Sequence, residues 1–566
     1  MESDRRQAGT DTVVTPERFR SATFRPMDLS LNRLRAIADG SADRSVGLTL
    51  LAGSIAATLL VPLTWLILEA VRVDLTRAWE LVVRPATAEV LVNTLLLMGG
   101  VTGLSILIGV PLAWLTVQTD LPFRRFWSVI VALPLVVPSY IGAFTFVSAF
   151  GPRGEFQAIL QPLGIDRLPE IYGLGGSILV ITLYTYPYVY LTARAGLLSF
   201  DSTLLEAART LNHGRWQAFR RVTLPHVRPS IAAGALLAAL YAVSDFGTPV
   251  IMRLPVFTRQ IFVELDSFGQ EYASLLSLQL LGIVLVILAI ESRLRAGEDG
   301  HGDGVGTADE EPLIALGVWR WPATLLPATV AGLALLVPLW ILGLWFVTAD
   351  LSARPSLALD LATVANSVGA AAVAALVAVV ASVPVAYLAA RRDSLAARVF
   401  ERATYVGFAV PGIVLGLALV FFATGFDGVD LPLVPAIYQT VPLLVFAYVV
   451  RFIPQAVGSI RTSTLQVDQQ LVEAARTLGE TPMRAFRTVT LPLVTPGIVA
   501  GGALVFLTSM KELPATLILR PTGFETLVTV IWRAQENAFY QYAVVPSLLL
   551  LTVSGLSMVV LLRQDS

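Results

Sequence analysis

Apolar stretches of roughly twenty residues recur along this chain, each closed by arginine, acid, proline or glycine. Taken in order they predict helices near 46–70, 90–118, 127–150, 174–198, 229–252 and 273–291. A second set follows near 322–347, 361–390, 403–424, 433–460, 494–519 and 542–562. Each run suits a hydrocarbon core of about 30 Å, so the pattern predicts an all-α polytopic membrane protein of about twelve transmembrane helices. Residues 1–45 are polar and mixed in charge. No cleavable signal peptide is therefore expected, and the first apolar run should act as an uncleaved anchor. Residues 293–318 are rich in glycine and acid and read as a flexible cytoplasmic linker. The chain thus divides into a polar cytoplasmic tail (1–45), a first transmembrane half (46–292), the linker (293–318) and a second half (319–566).

The two halves repeat each other. Glu206 to Ile231 reads EAARTLNHGRWQAFRRVTLPHVRPSI, and Glu473 to Ile498 reads EAARTLGETPMRAFRTVTLPLVTPGI. Sixteen of these twenty-six positions are identical without a gap, at an offset of 267. The register continues through Arg194/Arg461, Pro187/Pro454, Gly234/Gly501 and Arg253/Arg520; upstream it shifts to 273, pairing Asn93/Asn366, Pro111/Pro384 and Pro138/Pro411. Six spans per half give both copies the same orientation, a parallel repeat. Arginine in short loops marks the cytoplasmic side. Arg124-Arg125, Arg391-Arg392, Arg398 and Arg402 fall there, with 209–228 and 461–487, whereas the loop after the ninth span carries Asp427 and Asp430. Both termini are therefore expected in the cytoplasm of a cell whose plasma or inner membrane holds the chain.

The repeated cytoplasmic segment predicts two short helices joined by a turn. Asp201 and Asp468 are suited to cap the first. Gly479 suits a left-handed ending, which Asn212 also tolerates in the other copy. Thr481-Pro482 supplies a cap and a first-turn proline, and Leu491-Pro492 should stop the second helix. Met483, Phe486 and Val489, like Trp216, Phe219 and Val222, form an i, i+3, i+6 stripe. Such a stripe can lie among lipid headgroups or fill a soluble partner's groove. Duplication favours the groove, because a pair of equivalent knobs suits a symmetric dimeric partner.

At these residues the chain resembles the permeases of binding-protein-dependent ABC importers, whose signature is E-A-A-x3-G. The matching positions are Glu206, Ala207, Ala208 and Asn212 in one copy and Glu473, Ala474, Ala475 and Gly479 in the other. The resemblance extends over the chain beyond residue 45, twice. It implies a fold of two six-helix repeats, and it implies that each loop docks into a separate ATP-binding subunit, two copies in all. It implies an extracytoplasmic solute-binding protein as further partner. Trp216 and Phe219, like Met483 and Phe486, are the implied docking side chains, and Glu206 and Glu473 would orient their loops.

Composition narrows the chemistry. Net charge is −1, with 14% charged residues and a mean hydropathy of +0.71, so no basic field points to nucleic acid. Cysteine is absent, and Lys511 is the sole lysine. A phosphate-binding loop needs a lysine behind a glycine-rich turn, and Lys511 follows Met510. ATP should therefore be hydrolysed by a separate chain, and no catalytic residue, bound cofactor or resident metal is expected here. A transport subunit in contact with lipid is expected, and not an enzyme.

One further pair stands out. Asp245 and Glu512 are equivalent at the 267 offset, each roughly 16 residues into its span, or about 24 Å of helix rise. Carboxylates at such depth face a cavity or a partner. Gly247, Pro249 and Pro514 predict breaks beside them. Two arrangements satisfy the pattern: Asp245, Lys511 and Glu512 line a translocation pathway, or Glu512 pairs with Lys511 or Arg451 while Asp245 bonds locally. The segments Ser244-Asp245-Phe246-Gly247-Thr248-Pro249 and Lys511-Glu512-Leu513-Pro514-Ala515-Thr516 resemble the ferric-iron branch of the family, which implies Fe(III) as cargo. Thiamine, a polyamine, a phosphonate or another anion is the alternative within the class. An ion-coupled carrier built of two parallel halves is the alternative outside it.

Overall fold

The computed structural model describes residues 41–151, 154–164, 171–199, 221, 223–296, 314–348, 359–427 and 436–564. By contacts the chain separates into Met1–Leu50 and Leu51–Ser566, and the packing below is that of the second unit. The first half comprises α1 (Ser41–Arg72), the short α2 (Leu75–Val83), α3 (Pro85–Gln118), α4 (Arg124–Ile130) and α5 (Ser139–Phe150). It continues through α6 (Gly173–Leu198), α7 (Leu224–Ser244), α8 (Gly247–Ile251), α9 (Phe257–Asp266) and α10 (Gln270–Ala296). The second half opens with the helical stretch Gly317–Thr348. It then runs α11 (Leu361–Arg391), α12 (Leu395–Ala409), α13 (Gly412–Asp427), α14 (Val441–Gln466), α15 (Gln469–Thr477) and α16 (Pro482–Ala485). Its last elements are α17 (Leu491–Met510), α18 (Pro514–Leu519), α19 (Leu527–Glu536) and α20 (Val544–Gln564).

Among the described residues, nine helices are long and apolar enough to cross a membrane, two more crossings are bent pairs, and Tyr540–Leu556 is a shorter apolar helix. The all-α, two-repeat architecture expected from the sequence is what forms. Hydrocarbon leaves a backbone no solvent to bond with, so its polar groups pair within helices. Small hydroxyls join that ladder: Thr94 donates to the Val90 carbonyl (2.7 Å) and Ser382 to that of Ala378 (2.6 Å). The helices α3, α6 and α7 pack together in the first half, as α11, α14 and α17 do in the second.

Two spans in each half are not straight, the third against expectation and the fifth in keeping with it. The third bends by 95° between α4 and α5 and by 105° between α12 and α13. The bends fall at Pro138 and Pro411, whose preceding residues Val137 (ψ 124°) and Val410 (ψ 126°) are extended. A proline ring disfavours the helical region for the residue before it and removes one N–H. The fifth span is interrupted between α7 and α8, with Asp245 extended (ψ 126°), and between α17 and α18. These second breaks are where Gly247, Pro249 and Pro514 predicted them.

The repeat is visible bond by bond. The Asn93 amide donates to the Pro255 carbonyl at 3.1 Å, and its counterpart Asn366 donates to that of Glu525 at 3.1 Å. One residue on, the Phe257 N–H donates to the Thr94 hydroxyl (3.2 Å) and the Leu527 N–H to that of Ser367 (2.7 Å). Each half thereby ties its second span to the segment after its broken fifth span. The linker also has a fixed end. The Ile314 N–H donates to the Gln118 carbonyl (2.8 Å), the Leu316 N–H to Asp120 Oδ1 (2.8 Å) and Arg320 Nε to the Asp120 carbonyl (3.0 Å). The expectation of flexibility up to 318 therefore fails for its last residues, because Asp120 supplies acceptors for otherwise unpaired N–H groups.

Contact between the fourth and fifth spans uses one glycine against one serine in each half, with the roles exchanged. In the first half Gly196 of α6 faces Ser230 of α7; a Cβ placed on Gly196 would lie 2.8 Å from the Ser230 Cβ. In the second, Ser463 of α14 faces Gly497 of α17, at 2.7 Å by the same measure. These are equivalent positions, so the pair is preserved while its members have swapped. Gly497→Ser should overpack this contact by about 1–3 kcal/mol. The double change Gly497→Ser with Ser463→Gly should restore membrane abundance and thermal stability in detergent. A double variant as unstable as the single one would show that the contact is not what the glycine serves.

Candidate functional site: the broken helices and the exposed loop

The four breaks adjoin one another in pairs, and a carboxylate sits at each pair. In the first half, Asp245 is 9% exposed and Oδ1 accepts from the Ser139 hydroxyl at 3.1 Å. Ser139 directly follows the Pro138 bend, so the two broken spans meet through this bond. The Tyr241 hydroxyl in turn donates to Ser139 Oγ at 3.1 Å, and the Asp245 carbonyl, freed by the break, accepts from the Thr258 hydroxyl at 2.8 Å.

The second half meets the same need with different residues. Glu512 is 6% exposed and its Oε2 lies 3.2 Å from Arg451 Nε. Glu512 Oε1 accepts from the Ala515 N–H at 3.3 Å and so caps α18, while the Glu512 carbonyl accepts from the Thr516 hydroxyl at 2.5 Å. The Tyr448 hydroxyl bonds Thr516 Oγ1 at 2.7 Å. Gly412 holds the position equivalent to Ser139. A Cβ there would come within 2.5 Å of Glu512 Oε1, so glycine leaves the space that the guanidinium and carboxylate fill. Arg451 corresponds to Tyr184, which explains why the first half has no such ion pair.

The structure thus brings Asp245, Lys511 and Glu512 to one level without joining them. Glu512 pairs with Arg451, as one of the two sequence-based arrangements had it. Asp245 does not bond merely locally; its partner lies on another span. Lys511 pairs with neither acid: its Nζ lies 3.5 Å from the Leu135 and Val136 carbonyls of the first half. Around them the halves touch. A Cβ on Gly247 would lie 2.5 Å from that of Tyr140 and 3.5 Å from Leu513 Cδ2, and Phe246 packs on Trp532 at 5.2 Å. Nearer the ends remote from the repeated loop, a cleft of ≈ 460 Å³ opens between the halves, lined by Glu155, Tyr172, Trp345, Tyr540 and others. Ser139, Tyr241 and Gly412 escaped the sequence reading; the Pro138/Pro411 pair was an available signal for Ser139 and Gly412, and Tyr241 had none.

The second copy of the repeated loop is described and largely follows its expected local chemistry. The Gln470 N–H donates to Asp468 Oδ1 at 2.9 Å, Gly479 is left-handed (φ 92°), and the Arg484 N–H donates to the Thr481 hydroxyl at 3.3 Å. Glu473 and Ala474 are exposed and Ala475 half-buried; Glu473 accepts from the Gln469 amide at 3.0 Å rather than from an arginine. Two expectations fail. Pro492 does not stop the second helix: a π-helical turn over Phe486–Thr490 joins α16 to α17, and Pro492 lies in the first turn of α17, where a missing N–H is tolerated. The stripe itself also divides between two settings. Phe486 packs edge-on against Tyr387 of α11 at 5.4 Å, while Met483 (62% exposed) and Leu478 (86%) point outward. Glu206, Ala207, Ala208, Asn212, Trp216 and Phe219 lie outside the described residues.

The ion pair is testable by itself. Glu512→Gln should strand the Arg451 guanidinium in an apolar setting, at about 3–5 kcal/mol of stability. The double change Arg451→Met with Glu512→Met should recover membrane abundance without recovering transport. Full abundance of the Glu512→Gln variant would mean that the pair is dispensable to folding.

Comparison with known proteins agrees with this geometry. Residues 105–291 and again 382–564 match the family described as binding-protein-dependent transport system inner membrane component. The Fe(3+)-transport system permease protein FbpB 2 of Haemophilus influenzae is 31% identical over 512 residues, covering 90% of this chain and 96% of that protein. The molybdenum transport system permease protein ModB of Azotobacter vinelandii is 30% identical over 213 residues, 36% of this chain and 93% of its own. The sulfate transport system permease protein CysT of Escherichia coli is 26% identical over 253 residues, 43% and 90% respectively. All three are transport permeases and none is an enzyme, and two of them span a single half of this chain. The repeat of sequence, the repeat of hydrogen bonds and the double match therefore agree: this chain belongs to the binding-protein-dependent transport system inner membrane component family, as two permease copies fused in one polypeptide.

Proposed function

We propose that the chain forms the translocation pathway of an ATP-driven importer for Fe(III) handed over by an extracytoplasmic binding protein. The observation that carries the cargo assignment is the 31% identity to an Fe(3+)-transport permease along 90% of this chain. The chemistry at the breaks is compatible with it. Asp245, Glu512, Ser139, Tyr140, Tyr241 and Tyr448 gather oxygen donors at the seam, which suit a hard cation. An oxyanion cargo is the second reading, favoured by the molybdenum and sulfate relatives of single halves. On either reading Asp245, Lys511 and Glu512 lie on the route between the halves.

Coupling follows from the repeated segment, whose second copy is exposed. Two ATP-binding subunits dock, one on each repeated segment, with Met483 and Leu478 as the anchors of the second copy and the residues around Glu206 as those of the first. Both termini and the linker lie on the same, cytoplasmic side, where Arg391 donates to the Val467 carbonyl (3.0 Å) and Arg461 pairs with Glu401 (3.2 Å). ATP binds the partner, and this chain holds no cofactor of its own. The Phe486–Tyr387 contact gives a pull on the loop a direct path into α11.

Radiolabelled iron decides the cargo. In cells lacking other ferric uptake, co-expression with the cognate ATPase and binding protein should restore ferric uptake, and excess molybdate or sulfate should not compete. Accumulation of labelled molybdate or sulfate in place of iron would establish the second reading. Coupling has its own signature. Met483→Glu should abolish cargo-stimulated ATP hydrolysis while leaving membrane abundance unchanged, since a lost interface anchor costs about 2 kcal/mol or more. Phe486→Ala should lower stimulation and abundance together, because it also unpacks Tyr387. Normal stimulation in the Met483→Glu variant would remove this loop from the docking surface.

A further inference from the structure

The sole lysine of the chain stands where the fifth span of the second half breaks, directly after α17. Its ammonium group does not turn to the neighbouring Glu512, which is committed to Arg451. It crosses to the other half instead and lies 3.5 Å from both the Leu135 and Val136 carbonyls. Those carbonyls close the short 3-10 turn Leu133–Val136, just before the Pro138 bend. A bend at proline leaves carbonyls short of donors, and an apolar setting makes that deficit costly.

The second half shows the same deficit and another remedy. Its carbonyl before the equivalent bend, that of Val410, lies 3.5 Å from Arg451 Nη1. Arg451 belongs to the same half, so that bend is satisfied in cis. The first half has Tyr184 at the Arg451 position, and the Tyr184 hydroxyl donates elsewhere, to the Ala334 carbonyl. The carbonyls one and two residues further from its bend, those of Val136 and Leu135, are reached in trans, by Lys511. Ser244, the counterpart of Lys511, bears no charge. Duplication therefore left one bend self-sufficient and the other dependent on the opposite half.

We infer that Lys511 is a positioning residue for transport, a latch that holds the halves together at the level of their breaks and must let go when the pathway opens. The contact joins two groups that any separation of the halves pulls apart. Gly247 meets Leu513 and Phe246 meets Trp532 across the seam beside it, so opening there carries Lys511 away from its carbonyls. A contact made in one state and lost in the other biases the equilibrium by its own free energy. The latch thus favours the closed arrangement until the partners supply enough to break it. This inference rests on the reading of the chain as an ATP-coupled permease.

A single side-chain amine makes the latch directly observable. The assembled complex, in lipid nanodiscs with its ATPase and binding protein, is treated with a succinimidyl acetate ester, and acylation of Lys511 is followed by mass spectrometry. The expected result is slow acylation without nucleotide and about tenfold faster acylation after vanadate trapping, in keeping with loss of hydrogen bonds to a charged group. Lys511→Met should raise ATP hydrolysis in the absence of binding protein about fivefold or more, whereas Lys511→Arg should stay within about twofold of wild type. Should Lys511→Met fail to accumulate, the acylation rates of the wild-type complex and the Lys511→Arg hydrolysis rate decide. Equal acylation in the two states, or a wild-type basal rate for Lys511→Met, overturns the latch while leaving the permease reading intact. A complex whose ATP hydrolysis never responds to loaded binding protein overturns the permease reading, and the latch with it.

Discussion

A helix interrupted inside a membrane must have its exposed backbone groups satisfied by protein, because the lipid offers nothing. In this chain four interruptions meet at the seam between the halves, and the side chains there are those the breaks require. Thr258 serves the carbonyl of Asp245, Thr516 that of Glu512, Arg451 that of Val410, and Lys511 those of Leu135 and Val136. Even the carboxylates take part, Glu512 by capping α18 and Asp245 by holding Ser139 beside the first bend. The polar character of the seam thus follows from breaking helices where lipid offers the backbone no partner. On the proposed reading, chemistry for a cargo and backbone satisfaction draw on the same few atoms.

The two halves solve equivalent problems with unlike residues. Gly196 faces Ser230 where Ser463 faces Gly497, so contact volume survives an exchange of partners. Ser139 bonds Asp245 directly, where Gly412 stands back for an ion pair. The pairing of Asn93 and Asn366 with backbone carbonyls has not changed at all, at 3.1 Å in each half. What stays constant fixes the frame of each half; the small pair inside each half is merely exchanged, whereas at the seam the residue types themselves differ.

Much of this was legible in the sequence because the bilayer allows few solutions. Apolar runs of span length, the 267 offset and the E-A-A segments were enough for the helices, the parallel repeat and the loop's capping residues. The breaks at Gly247 and Pro514 could be read from residue type. The sharp bends at Pro138 and Pro411 could not, since a proline within an apolar run is also compatible with a mild kink. The contact of Phe486 with Tyr387 was not legible, because an i, i+3, i+6 stripe does not say which distant helix stands within reach of each of its residues. The partner of Glu512 stayed open between Lys511 and Arg451 because the residue pattern does not say which of two cations, one adjacent and one on another span, faces the carboxylate.

The ordered end of the linker carries a last implication. Ile314 and Leu316 are pinned to Gln118 and Asp120, so the second half starts from a fixed point on the first. Two separate permease chains would have to find each other by diffusion, and like halves could pair wrongly. A tether holds the partner at an effective concentration of order millimolar, whatever the expression level. Mispairing of two first halves or two second halves ceases to be a hazard that selection must guard against. A bend that depends on a lysine from the opposite half can arise only once that half is assured of being present.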